Sequence, residues 1–93
     1  MDIRNVVLSR AALKDLRRVP ATILDKFQSW VEAIEIQGLH KVRKLPGLHD
    51  EPLKGKRKGQ RSIRLSRSYR AIYTIEKEKV MIVFVREVSK HGY

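Results

Sequence analysis

A chain of 93 residues, 42% apolar and 33% charged with a formal net charge of +11, has a globular rather than a disordered composition and is too short for a second core. No run of eighteen apolar residues and no apolar leader is present, which excludes a membrane-spanning helix and leads to the expectation of a cytoplasmic protein. Cysteine is absent, and His40, His49 and His91 lack the i, i+4 spacing of a helical zinc motif, so neither a metal nor another cofactor is expected.

Residues 2 to 8 carry Ile3, Val6, Val7 and Leu8 and end at Ser9, the pattern of a short strand followed by a helix N-cap. Ala12, Leu16 and Val19 then fall at i, i+4 and i+7, with Leu13 beside them, and predict a short amphipathic helix. Pro20 interrupts it and can restart a helix, since a first turn has no use for the missing N–H. Ile23, Phe27, Trp30, Val31 and Ile34 recur at i, i+4, i+7, i+8 and i+11, the clearest helical stripe in the chain, and Gly38 is its natural stop. Phe27 and Trp30 lie on that stripe, which assigns them to the core and not to a base-stacking platform.

Residues 39 to 59 form a connector punctuated by Pro46, Gly47, Pro52, Gly55 and Gly59, pinned to the core by Leu39, Val42, Leu45, Leu48 and Leu53. Alternation then begins. Ile63 and Leu65 face one way and Ser62, Arg64 and Ser66 the other, predicting a half-buried strand over 61–66. A second strand is expected over 69–75, a polar hairpin tip at 76–79, and a third strand over 80–88 with Val80, Ile82 and Phe84 on one face against Met81, Val83 and Val85 on the other. The order β-α-α-β-β-β predicts a single α+β domain over residues 1–93: an antiparallel sheet, the first strand at one edge, and the two N-terminal helices on one face.

Charge is concentrated. Between Leu39 and Arg70 stand eleven Lys or Arg against Asp50 and Glu51, which places +9 of the +11 in one segment. Such a field favours a phosphate backbone or an acidic protein partner, and binding through it falls steeply with salt. A membrane-surface helix is disfavoured, because the basic segment has no helical apolar stripe.

The run Glu51-Pro52-Leu53-Lys54-Gly55, the basic strand with Ile63-Arg64-Leu65, the segment Tyr69-Arg70-Ala71-Ile72-Tyr73 and the apolar strand ending near His91 and Tyr93 together resemble the RelE/ParE superfamily of toxins from bacterial type II toxin–antitoxin modules. The likeness is greatest to the RelE, YoeB and HigB mRNA interferases. It spans nearly the whole chain, and the ordered set carries it, since Leu-Lys-Gly alone is a weak motif. The resemblance implies a RelE-like fold, a toxin that enters the ribosomal 30S A site and cuts mRNA by 2′-hydroxyl attack without a metal, and a cognate antitoxin partner. That chemistry needs a base for the 2′-hydroxyl, cations for the phosphorane and an acid for the leaving oxygen. By position in the family's pattern, Glu51 is the candidate base, Arg70 the grip on the scissile phosphate, His91 the acid, and Tyr93 a stacking or phosphate-side residue. YoeB-like members end in adjacent His-Tyr, whereas Gly92 intervenes here. Arg64 matches a basic strand residue of RelE-like members, and Lys54, Lys56, Arg57, Lys58, Arg61 and Arg67 extend the candidate RNA-binding surface. His49 is a minor candidate beside Glu51. Two readings of other classes stay open: a ParE-like inhibitor of DNA gyrase, which has no use for the acid–base pair, and a nonenzymatic basic module binding RNA or DNA.

Overall fold

The structure, a computed structural model, describes residues 2–87; His91 and Tyr93 lie outside the described residues. The first strand, β1, spans Asn5–Leu8. Helix α1, Arg10–Leu16, begins at Ser9, whose hydroxyl accepts from Ala12 N at 3.0 Å. Pro20 stands at the N-cap of α2, Ala21–Gln37, which ends at Gly38 with φ 87°. A side chain at Gly38 would run into the Asp2 carboxylate. That carboxylate accepts from His40 N at 3.1 Å, at the start of the one-turn helix α3, Leu39–Val42. The backbone hydrogen bonds from His40 N and then Ile3 N, with the Arg4 and His40 charges, outweigh desolvation and lower the Asp2 pKa.

The connector is well structured. After α3 it makes one 3-10 turn at Pro46–Leu48, a two-residue strand β2 at Glu51–Pro52, and a second 3-10 turn at Gly55–Arg57. Leu39 and Val42 are buried and Leu48 packs on the core, as expected, whereas Leu45 stands 44% exposed, because the turn at Pro46 swings it outward. Strands β3 (Arg61–Arg64), β4 (Tyr69–Glu76) and β5 (Lys79–Glu87) form the predicted meander. Lys77 and Glu78 both take left-handed φ at the β4–β5 tip.

The sheet has the order β1-β5-β4-β3-β2. The predicted α+β class and the edge position of β1 stand, and the sheet is mixed, since β1 runs parallel to β5 while every other pair is antiparallel. Helices carry the chain away from β1, so its direction is not tied to a hairpin. The core lies between the helices and one sheet face, where Trp30 packs between Phe27 and Tyr73 at ring-centroid distances of 5.9 and 5.5 Å. Phe27 and Trp30 are each 3% exposed, the core role that their helical spacing implies.

One irregularity decides which side chains reach the other face. Ile72 pairs with Phe84 but Tyr73 pairs with Ile82, so Val83 is an extra residue, a β-bulge in β5. Strict alternation would keep Phe84 with Val80 and Ile82. The bulge shifts the phase by one, so Val85 joins the core cluster instead, and Phe84 and Arg86 turn to the opposite face, Arg86 from a position at the sheet edge where its Nε also lies 3.9 Å from the Asp15 carboxylate of α1. Ser9 fixes the bulge: its N–H donates to Ile82 O at 3.0 Å and its hydroxyl to Val83 O at 2.6 Å.

Candidate active site

On the face away from the helices, pairing register brings together residues that are far apart in sequence. Arg64 on β3 is opposite Arg70 on β4, and Arg70 is opposite Arg86 on β5. Three arginines thus stand side by side across three strands. Like charges directly opposite each other destabilise a sheet by about 0.2–1 kcal/mol per pair, so the row is suited to an anion lying across it. Beneath it the face is dry: Ser62, Ile72 and Phe84 are buried. Arg86 and Arg57 place their guanidinium carbons 4.4 and 4.7 Å from the centroid of the Phe84 ring, Arg57 arriving from the 3-10 turn that crosses this face.

Glu51 occupies the edge of the same face. It pairs with Ser62 in β3, and its Oε1 lies 3.9 Å from Arg70 Nη1. That distance is an ion pair but too long for a hydrogen bond. Arg70 Nη1 is buried and has no hydrogen-bond acceptor among the described residues. A buried guanidinium N–H without an acceptor costs about 1–3 kcal/mol or more, and a phosphate oxygen between Arg70 and Glu51 would supply one. Glu51 itself is 60% exposed on its side chain, open to a ligand from solvent.

Of the remaining candidates, Lys54, Lys56 and Lys58 are exposed on the β2–β3 loop and Arg67 is exposed in the β3–β4 turn. Arg61 is elsewhere. It pairs with Tyr73 on the helix side of the sheet and donates from Nε to Asp50 Oδ1 at 2.6 Å, so it is committed to an interior carboxylate and stands away from the arginine row. Arg86 joins this candidate site without having been expected from the sequence, because the bulge that turns it to this face leaves no mark in the alternation. Among the described residues no three His, Asp or Glu side chains come together as a metal site, and no helix is long and apolar enough to cross a membrane.

Three helices and a five-stranded mixed sheet with a two-residue edge strand make a small α+β domain with a basic outer face, a fold shared with solved YoeB- and RelE-like toxins. The chain is similar to the YoeB/ParE toxin from Agrobacterium tumefaciens, with a TM-score of 0.71 at 18% identity over 91% of this chain and 99% of that one. It is similar to YafQ from E. coli, TM-score 0.71 at 19% identity over 90% and 92% of the two chains. It is also similar to the toxin–antitoxin complex RelBE2 from Mycobacterium tuberculosis, TM-score 0.59 at 24% identity over 94% and 99%. No curated protein matches the sequence. The family model of the ParE toxin of the type II toxin–antitoxin system parDE matches residues 6–91, and the chain belongs to that family.

Proposed function

We propose that this toxin is an endoribonuclease that cuts mRNA in the ribosomal A site and so arrests translation, and that a cognate antitoxin in the same cytoplasm holds it inactive by covering its basic face with negative charge. One observation carries the reading: a carboxylate and three arginines share one sheet face, with the unsatisfied Nη1 of Arg70 beside Glu51. Glu51 takes the proton from the 2′-hydroxyl, and that oxygen forms a bond to the adjacent phosphorus. The Arg64–Arg70–Arg86 row stabilises the charge that gathers on the phosphorane oxygens, where an arginine's fork can hold two oxygens at once. The bond from phosphorus to the 5′-oxygen breaks, an acid protonates that oxygen, and a 2′,3′-cyclic phosphate remains. His91 is our candidate for the acid and Tyr93 for a contact to the neighbouring base. Lys54, Lys56, Arg57, Lys58 and Arg67 supply backbone contacts that position the message.

The test is primer extension on mRNA in a reconstituted translation reaction, comparing the parent with Glu51→Ala, Arg70→Ala and His91→Ala. Cuts at A-site codons that disappear in the variants support the nuclease. Intact mRNA with arrested translation would replace it with a nonenzymatic ribosome-binding module. A second reading, inhibition of DNA gyrase, is favoured by the ParE description of the matching family; intact mRNA, normal translation and blocked gyrase supercoiling would establish it instead.

A further inference from the structure

Behind Glu51, on the opposite side of the sheet, Asp50 is the hub of a small interior network. Its side chain is 1% exposed. Oδ2 accepts from the Tyr73 hydroxyl at 2.5 Å, Oδ1 from Arg61 Nε at 2.6 Å, and the Asp50 backbone carbonyl from Arg61 Nη2 at 3.4 Å. Tyr73 is 0% exposed and its ring packs on Trp30, so the hydroxyl end is anchored in the core. Neighbouring residues of an extended segment point to opposite faces. Fixing Asp50 on the core side therefore fixes Glu51 on the arginine side.

The network is needed because β2 is too short to hold itself. It spans two residues, Glu51 and Pro52, at the sheet edge, and Pro52 has no N–H to give to a ladder. Leu53 N bonds to Gln60 O at 2.9 Å just beyond it, and His49, two residues before the strand, takes a left-handed φ of 46°. A strand of this length gains little from pairing alone.

We propose that Asp50, Arg61 and Tyr73 form a brace that sets the position of Glu51 against Arg70, which makes them positioning residues of the cleavage site. The proposal rests on the reading of Glu51 as the base. The brace acts through the core: Tyr73 is the fixed post, Asp50 the link, and Arg61 both neutralises the link and ties it to β3. Released from Tyr73, the Asp50–Pro52 segment is free to move along the sheet edge, and Glu51 loses its distance to the 2′-hydroxyl while the arginine row, held on β3, β4 and β5, keeps its grip on the message.

The experiment is a double-mutant cycle in reconstituted translation, with cleavage rates measured at varied concentrations of mRNA-programmed ribosomes for the parent, Tyr73→Phe, Glu51→Gln and the double variant. We expect Tyr73→Phe to lower the maximal rate by about 10- to 100-fold, as for a small misplacement of a reacting group, with KM unchanged, and to lower it no further in the Glu51→Gln background. Asp50→Asn, which keeps the shape but weakens both hydrogen bonds, should do the same. Equal losses from Tyr73→Phe with and without Glu51 would mean a general weakening of the fold and overturn the proposal. A parental rate in both Tyr73→Phe and Asp50→Asn, with Glu51→Gln inactive, would overturn the brace and leave the base reading standing. A parental rate in Glu51→Gln would overturn the base reading and the brace with it.

Discussion

Among the described residues Arg64 forms no ion pair with a carboxylate, and it faces Arg70 directly, so its charge is a burden on the free protein and an asset only with an anion bound. Arg64→Thr, which keeps a good strand former, should leave stability unchanged or raise it by up to about 1 kcal/mol in chemical denaturation. The same change should lower cleavage by roughly 10- to 100-fold, the loss of one charge-assisted hydrogen bond. Tyr73 behaves oppositely. Burial first, then the hydrogen bond to Asp50 and its charge, raise the phenol pKa well above its ordinary 10.0. Its contribution to stability is therefore complete below pH 10.0 and is lost as pH rises through the folded-state value. Tyr73→Phe should cost about 1–3 kcal/mol at neutral pH, and the stability curves of parent and variant should converge on alkaline titration. Glu51 and Arg70 were legible in the sequence because each sits in a recognisable run. Arg61 does not join the cationic surface expected of it: it shares parity with Ile63 and Leu65, and that alternation places it on the core side. Its partner Asp50 gives no local sign of burial.

At the level of elements, the turn from β1 into α1 does two things through one hydroxyl. Ser9 caps α1 and holds the bulge carbonyl of Val83. Ser9→Ala should cost about 1–2 kcal/mol, and a domain of this size loses about 4–8 °C of melting temperature per kcal/mol, measurable by a thermal melt followed by circular dichroism. The helices and the three-stranded meander were legible because their periodicities extend over many residues. The direction of β1 was not, since it follows from where the helices return the chain. Two-residue β2 falls below the length at which alternation exists. The bulge was also invisible: Val83-Phe84-Val85 is apolar throughout, so a shift of phase leaves the pattern unchanged, and with it the destination of Arg86.

For the whole molecule, the decisive quantity is the positive field. The charge of +11 on 93 residues should make affinity for single-stranded RNA fall linearly on a log–log plot against salt. Removing a residue that contacts a phosphate lowers the magnitude of that slope by about 0.7 for a single strand. Fluorescence anisotropy across a salt series should show this decrement for Arg64→Thr and Arg70→Ala, and none for Lys77→Ala at the far hairpin tip.

The parallel pairing of β1 with β5 joins residues 5–8 to residues 79–82, the longest-range register in the sheet. Contacts so distant along the chain form late in folding, because the loop between them must close first. During synthesis β1 emerges early and waits with an unpaired edge, while the strand that completes it, and that also carries Phe84 and Arg86, is still being translated. The arginine row therefore cannot assemble until the ribosome making the chain has read past codon 86, and whatever activity needs Arg64, Arg70 and Arg86 together is withheld until nearly all of the described domain has been made.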